Sequence, residues 1–158
     1  QDPYGITMWP EFKGRDGCRT PMPWQADAPH AGFTTGGHPW LPVAEPHHAL
    51  SVDRQTGAAD SMLSFFTRLL HWRRGQVALR DGRMSLLPAD PQVLAFTREH
   101  AQQTLLCVFN FSDRPARLAL PADWHAASPL GGSGLEGATV DHGEVVCEPW
   151  GGLFLERT

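Results

Sequence analysis

Eight of the fourteen prolines fall within the first 46 residues, at Pro3, Pro10, Pro21, Pro23, Pro29, Pro39, Pro42 and Pro46. Each lacks a donor N–H and fixes φ, so together they interrupt any helix between Gln1 and about Gly57, where hydrophobic periodicity is almost absent. A structureless run of that length inside a compact domain is either a functional loop or a disordered segment. Trp9, Phe12, Trp24, Phe33 and Trp40 argue against disorder, because disordered segments tend to lack large apolar groups. The expectation is a long excursion that packs on something else and lines a site.

The run Gly14-Arg-Asp-Gly-Cys-Arg-Thr-Pro-Met-Pro-Trp24 is its centre. Two guanidiniums, Arg15 and Arg19, stand four residues apart around Asp16. Prolines stiffen the backbone and glycines loosen it. A guanidinium presents several donors in a fixed plane, which suits a ligand hydroxyl and a neighbouring carboxylate at once. The run therefore suits a rigid loop gripping a neutral, hydroxyl-rich ligand, although one arginine bracing the loop through Asp16 is the plainer alternative. Glu11, Asp16 and Asp27 are close enough in sequence to be weighed as a catalytic pair, and are read as loop hydrogen-bond acceptors instead. Trp9 and Trp24 are expected to pack within the loop rather than stack on a ligand. His30, His47 and His48 are expected to be surface or loop histidines.

The pattern then changes twice. Asp60 or Ser61 can cap a helix in which Met62, Phe65, Phe66, Leu69, Leu70 and Trp72 follow helical spacing. Arg68, Arg73 and Arg74 gather toward its C-terminal end, where cations are favoured. Gly75 is expected to end it in a left-handed conformation. One such helix cannot bury its stripe alone, so it is expected to lie against a sheet. Beyond Gly75 the period falls to two. Strands are expected at residues 83–87, 92–98, 104–111, 116–120, 138–140, 144–148 and 152–156, with proline- and aspartate-rich turns between them. Short strands at this spacing predict an antiparallel sandwich of roughly 80 residues.

A net charge of −4 and a pI near 6.0 lack the basic footprint of a nucleic-acid partner. No stretch approaches the ~20 apolar residues of a membrane span. No basic leader runs into an apolar core, so no signal peptide is expected and the location is read as cytoplasmic. Gln1-Asp2-Pro3 reads as the middle of a longer polypeptide or the product of a cut. Cys18, Cys107 and Cys147 are sparse, odd in number and without CxxC spacing, which predicts free thiols in a reducing compartment and no zinc site. No cofactor is expected. Gly131-Gly-Ser-Gly134 precedes no helix and so is no phosphate loop. Asn110-Phe-Ser112 is a formal glycosylation acceptor that falls in an expected strand. Both are read as structural.

Taken together, the ordered motifs resemble glycoside hydrolase family 13, in its α-glucosidase and oligo-1,6-glucosidase branch. The run Arg15 to Trp24 is similar to that branch's Arg-Asp-x-x-Arg-Thr-Pro-Met-x-Trp. His30-Ala-Gly-Phe-Thr34, Pro39-Trp40, Ser51-Val-Asp-x-Gln55, Asp60-Ser-Met-Leu63 and Leu69-Leu-x-x-Arg73 follow in the same order. The form Gly-Arg-Asp-Gly-Cys-Arg-Thr-Pro-Met looks like bacterial α-glucosidases with transglucosylating relatives. The resemblance implies the C-terminal end of a (β/α)8 TIM barrel, its long loop after strand 8 and its helix 8, over residues 1–78. An all-β antiparallel sandwich domain would follow over 79–158. It implies a retaining enzyme acting on maltose-type oligosaccharides and α-glucosides by double displacement. The family's two catalytic carboxylates and stabilising Asp have no matching motif here, so no catalytic residue is assigned to this chain. The partner implied is an N-terminal catalytic barrel polypeptide of the same enzyme, and any metal site of the family is expected in that part. By resemblance, an arginine of the loop pairs with a barrel Asp and holds glucose in subsite −1. Arg15 is favoured for this, with Arg19 supporting it or reaching subsite +1, and Asp16 beside them. The alternative is a non-catalytic carbohydrate-binding β-domain with an N-terminal extension.

Overall fold

The computed structural model describes residues 1–157. The chain divides into two compact units, one of residues 1–65 and one beginning at Phe66.

In the first unit the prolines leave room only for short elements. These are α1 (Pro3–Thr7), α2 (Glu45–His48) and α3 (Val52–Gln55), with a single 3-10 turn at Asp16–Cys18 and a turn at Pro29–Gly32 in which His30 and Ala31 are left-handed, at φ 53° and 52°. Proline sits in the first turn of α1, of α2 and of the Pro29 turn, where a missing N–H leaves no helical bond unmade. Apolar burial is slight. Asp2, Pro21, Ala26, Ala31, Leu41 and Ser51 are the buried residues here, and only Leu41 is a large aliphatic.

Polar bonds take over the work of a core. The amides of Val52 and Asp53 donate to the carbonyls of Pro23 and Trp24, at 3.0 and 3.1 Å. The Asp53 carboxylate accepts from the hydroxyl of buried Ser51, from Ala26 N at 3.1 Å and from Arg54 N at 2.8 Å. These bonds, the Ser51 hydroxyl foremost, hold its carboxyl below the usual carboxylate range. Gln55 ties the segment onward, its amide nitrogen donating to Leu50 O and its amide oxygen accepting from Leu63 N.

That last bond meets the start of α4 (Met62–Gly75). Ser61 is the residue that caps it, its Oγ accepting from Ser64 N at 3.2 Å. Gly75 does not take the left-handed conformation expected of it. The break falls one residue later, at Gln76 with φ −95° and ψ 99°, and a further short helix α5 (Val77–Asp81) follows. The apolar stripe of α4 is only partly covered. Met62, Phe66 and Leu70 are exposed, whereas Trp72 packs on Phe154 with ring centroids 4.7 Å apart.

The second unit is the expected antiparallel β-domain. Its strands are β1 (Arg83–Leu86), β2 (Val93–His100), β3 (Gln103–Asn110), β4 (Ala116–Ala119), β5 (Ser128–Pro129), β6 (Ala138–Asp141), β7 (Glu144–Cys147) and β8 (Gly152–Arg157). Seven coincide with strands expected from the sequence; β5, two residues long, is too short to leave a pattern. A five-stranded sheet runs β1-β2-β3-β8-β5 and a three-stranded sheet runs β4-β7-β6, all pairs antiparallel. Alternate side chains point to opposite faces. From β3, Leu106 and Val108 enter a cluster with Leu118, Val145, Cys147 and Leu155 between the sheets. Leu105 and Cys107 enter a second cluster with Ala78, Leu79 and Phe154 on the other face. β3 is thus covered on both sides, as its unbroken Leu-Leu-Cys-Val run requires. His142 and Gly143, both at positive φ, turn β6 into β7.

Two motifs read as structural have defined places in this unit. Asn110 is 2% exposed. Its amide nitrogen donates to Arg114 O and Glu148 O, and its oxygen accepts from the amide and hydroxyl of Ser112. Every hydrogen-bonding position of the amide is used, which leaves none for a glycan. The glycine run wraps an indole: Trp72 Nε1 donates to Gly131 O at 2.8 Å, and a Cβ on Gly132 would meet that ring at 3.1 Å.

Candidate functional site

The loop read as the centre of the chain is held by a clasp inside its own unit. Asp2 precedes α1 and caps it, one carboxylate oxygen accepting from Tyr4 N at 3.3 Å. The same carboxylate takes Arg15 in a fork. Arg15 Nε donates to Oδ2 at 2.8 Å and Nη2 to Oδ1 at 2.9 Å, while the Arg15 backbone amide donates to Oδ2 at 2.7 Å. Asp2 is 2% exposed. The Arg15 guanidinium beside it holds its carboxyl well below the usual carboxylate range. Arg15 lies over the Tyr4 ring, 5.2 Å from its centroid.

A second carboxylate closes the clasp from the other side. Asp16 Oδ2 accepts from the backbone nitrogens of Gln1 and Asp2, at 2.7 and 3.0 Å. The crossing of the two segments is tight. Gly14 sits at φ 76°, and a Cβ there would lie 3.0 Å from Gly5 Cα and 3.1 Å from Asp2 Cβ, so only glycine suits this turn.

The three residues expected at the site therefore differ in state. Arg15 is forked to Asp2, a residue that sequence reasoning passed over because thirteen positions and a turn separate the two. Two of its five N–H donors are taken, and those on Nη1 remain open. Asp16 braces Asp2 through one oxygen, and its Oδ1 is buried without a hydrogen-bond partner among the described residues. The Arg19 side chain is exposed and has no hydrogen bond or ion pair among the described residues. The plainer alternative, one arginine braced through Asp16, is not what the structure contains, since Asp2 is the brace.

Of the other carboxylates weighed, Asp27 pairs with Arg54 at 2.9 Å on the surface. Trp9 and Trp24 are 65% and 50% exposed, so they do not pack within the loop as expected. His48 Nδ1 is 2.7 Å from Ala26 O, and His30 meets His38 edge-on at 5.8 Å. Those three histidines and Trp40 line a cavity of about 410 Å³. His47 lines another, of about 290 Å³, with Thr20 to Pro23 and Leu50. Neither cavity includes Arg15 or Arg19. Among the described residues no cluster of three or more His, Cys, Asp or Glu could hold a metal ion, and no helix is long and apolar enough to cross a membrane.

Comparison with known proteins places this loop in a family. Residues 1–82 match the alpha amylase catalytic domain, and residues 84–140 match the maltogenic amylase C-terminal domain. A probable alpha-glucosidase of Rhizobium meliloti is 40% identical over 154 residues, 98% of this chain and 27% of that protein. Probable oligo-1,6-glucosidase 2 of Bacillus subtilis is 40% identical over 121 residues, 76% of this chain and 21% of its own length. Among solved structures, the alpha-glucosyl transfer enzyme XgtA superposes with a TM-score of 0.92 at 45% identity, over 100% of this chain and 29% of that one. The chain thus spans about a quarter of the length of the relatives it matches. With 82 of its 158 residues in the catalytic-domain match, the chain belongs to the alpha-amylase family, glycoside hydrolase family 13, and comprises the end of the catalytic domain followed by the C-terminal β-domain.

Proposed function

We propose that this chain is one part of a retaining α-glucosidase or α-glucosyltransferase acting on maltose-type oligosaccharides and α-glucosides. The observation that carries the reading is the clasped loop itself. Within the stretch matched by the catalytic-domain family, it offers fixed, unused guanidinium donors on Arg15 and a free Arg19. That set suits the hydroxyls of a neutral sugar. Arg15 grips the non-reducing-end glucose, Arg19 supports it or reaches the next subsite, and Asp16 stands beside them, bracing Asp2.

Residues 1–78 close the barrel and residues 79–158 form the β-domain, a division supported by family matches that meet between residues 82 and 84. The nucleophile and the acid/base come from an N-terminal barrel polypeptide of the same enzyme, two carboxyl groups ~5 Å apart as retention requires. One attacks the anomeric carbon while the other protonates the leaving oxygen. Water or an acceptor hydroxyl then resolves the β-glucosyl-enzyme. The compartment is cytoplasmic, a reading supported by three free cysteines.

Joining this chain to an N-terminal barrel polypeptide tests the reading. The two together are expected to release α-glucose from maltose, with neither active alone. A barrel polypeptide that cleaves maltose equally well without this chain overturns it.

A further inference from the structure

Arg15 can grip a sugar only if its guanidinium is held in one place, and an arginine on a glycine-flanked loop has several rotatable bonds to fix. The structure supplies the means within the chain. We propose that Asp2 is a positioning residue for substrate binding: it aims Arg15 and does not itself touch the sugar. The inference rests on the reading of Arg15 given above.

The geometry supports a dedicated holder. Asp2 accepts four hydrogen bonds, from the Tyr4 amide, the Arg15 amide, Arg15 Nε and Arg15 Nη2. Each oxygen takes two, so the carboxylate is saturated by its own chain and has nothing left for a ligand. Because it grips both the backbone amide and the side chain of Arg15, it fixes the start and the end of that side chain together. The Tyr4 ring lies against the guanidinium, and Asp16 holds the Asp2 amide in turn. What remains free on Arg15 is the Nη1 side, away from Asp2.

Neither asparagine nor glutamate reproduces this arrangement. In Asp2→Asn one oxygen becomes an NH2 donor, which would face donors from Arg15 or Tyr4. Asp2→Glu keeps the charge but carries the carboxylate one methylene farther from the backbone, off the positions where the Tyr4 amide and Arg15 now meet it.

The test is a double-mutant cycle on kcat/KM for an α-glucoside such as p-nitrophenyl α-glucoside. It is run in the enzyme assembled with its barrel, using Asp2→Asn, Arg15→Ala and the pair. Arg15→Ala is expected to lose ~30- to 1,000-fold, and Asp2→Asn ~10- to 100-fold. The pair should lose no more than Arg15→Ala alone, since a holder has no effect once what it holds is gone. Additive losses would mean that Asp2 acts through the loop fold and not through Arg15, and would overturn the inference. Full activity of Asp2→Asn beside a damaged Arg15→Ala would overturn it as well, leaving the sugar-binding reading intact. Full activity of Arg15→Ala would instead remove the reading on which the inference stands. Should Asp2→Asn fail to fold, Asp2→Glu decides: a folded variant with wild-type kcat/KM contradicts a role in aiming, and a folded variant with a raised KM supports it.

Discussion

The two units of this chain are fixed by opposite means. In the β-domain, Leu105, Leu106, Val108, Val145 and Leu155 are fully buried and the sheet forms around them. In the first 65 residues the fully buried side chains are Ala31 and Ser51, and the backbone is held by Asp2, Asp16 and Asp53, each accepting from amides or a guanidinium. Apolar burial is non-directional and tolerant of exchange among similar shapes, whereas a carboxylate fork fixes the direction of one side chain. Apolar burial suffices for stability, whereas holding a guanidinium in one direction needs the fork.

The contrast can be broken in the β-domain first. Leu155→Ala empties a fully buried position between the sheets and should cost ~2–5 kcal/mol, read as a lowered urea midpoint of the β-sheet signal. Little change would show that the cluster is not what holds this unit. A smaller effect is expected where α4 begins. Ser61→Ala removes the hydroxyl that accepts from Ser64 N and should cost ~1 kcal/mol in the same assay, with Asp60→Ala close to neutral.

Acid sharpens the comparison. The Asp2 and Asp53 carboxyls are held below their ordinary values when folded, so the stabilisation they carry is complete above about pH 4. It is lost as the pH falls below that, because the unfolded state then binds protons more readily than the folded one. Fluorescence of Trp9, Trp24 and Trp40 should therefore change below about pH 4 while the far-ultraviolet signal of the sheets persists. Simultaneous loss of both signals would contradict the division of labour. Thiols give the mildest probe. Exposed Cys18 should react with a thiol reagent in the native protein. Cys107, its thiol pushed up to about 12 by burial, and Cys147 should react only on unfolding.

What the sequence disclosed follows the same line. Apolar patterning and turn residues leave a trace in the sequence, so seven strands and α4 could be read from it. α5 and β5 are too short to show a period, and the end of α4 was misplaced by one residue because Gln76, not Gly75, carries the break. The ordered motif run disclosed the loop and its arginines. It could not disclose the partner of Arg15, since a fork between positions 2 and 15 has no spacing rule and depends on Gly14 turning the chain back on itself. Ser51, Asp53 and Gln55 were visible as a motif; that they brace Pro23 to Ala26 and the start of α4 was not.

The most direct test of the account is the kinetic cost of removing the guanidinium of Arg15 from the assembled enzyme. Arg15→Ala should lower kcat/KM for an α-glucoside by ~30- to 1,000-fold, as for a charged donor facing substrate, while the urea midpoint of the β-domain stays where it was. Wild-type kcat/KM in that variant would contradict the claim that the clasped loop is a wall of the sugar site.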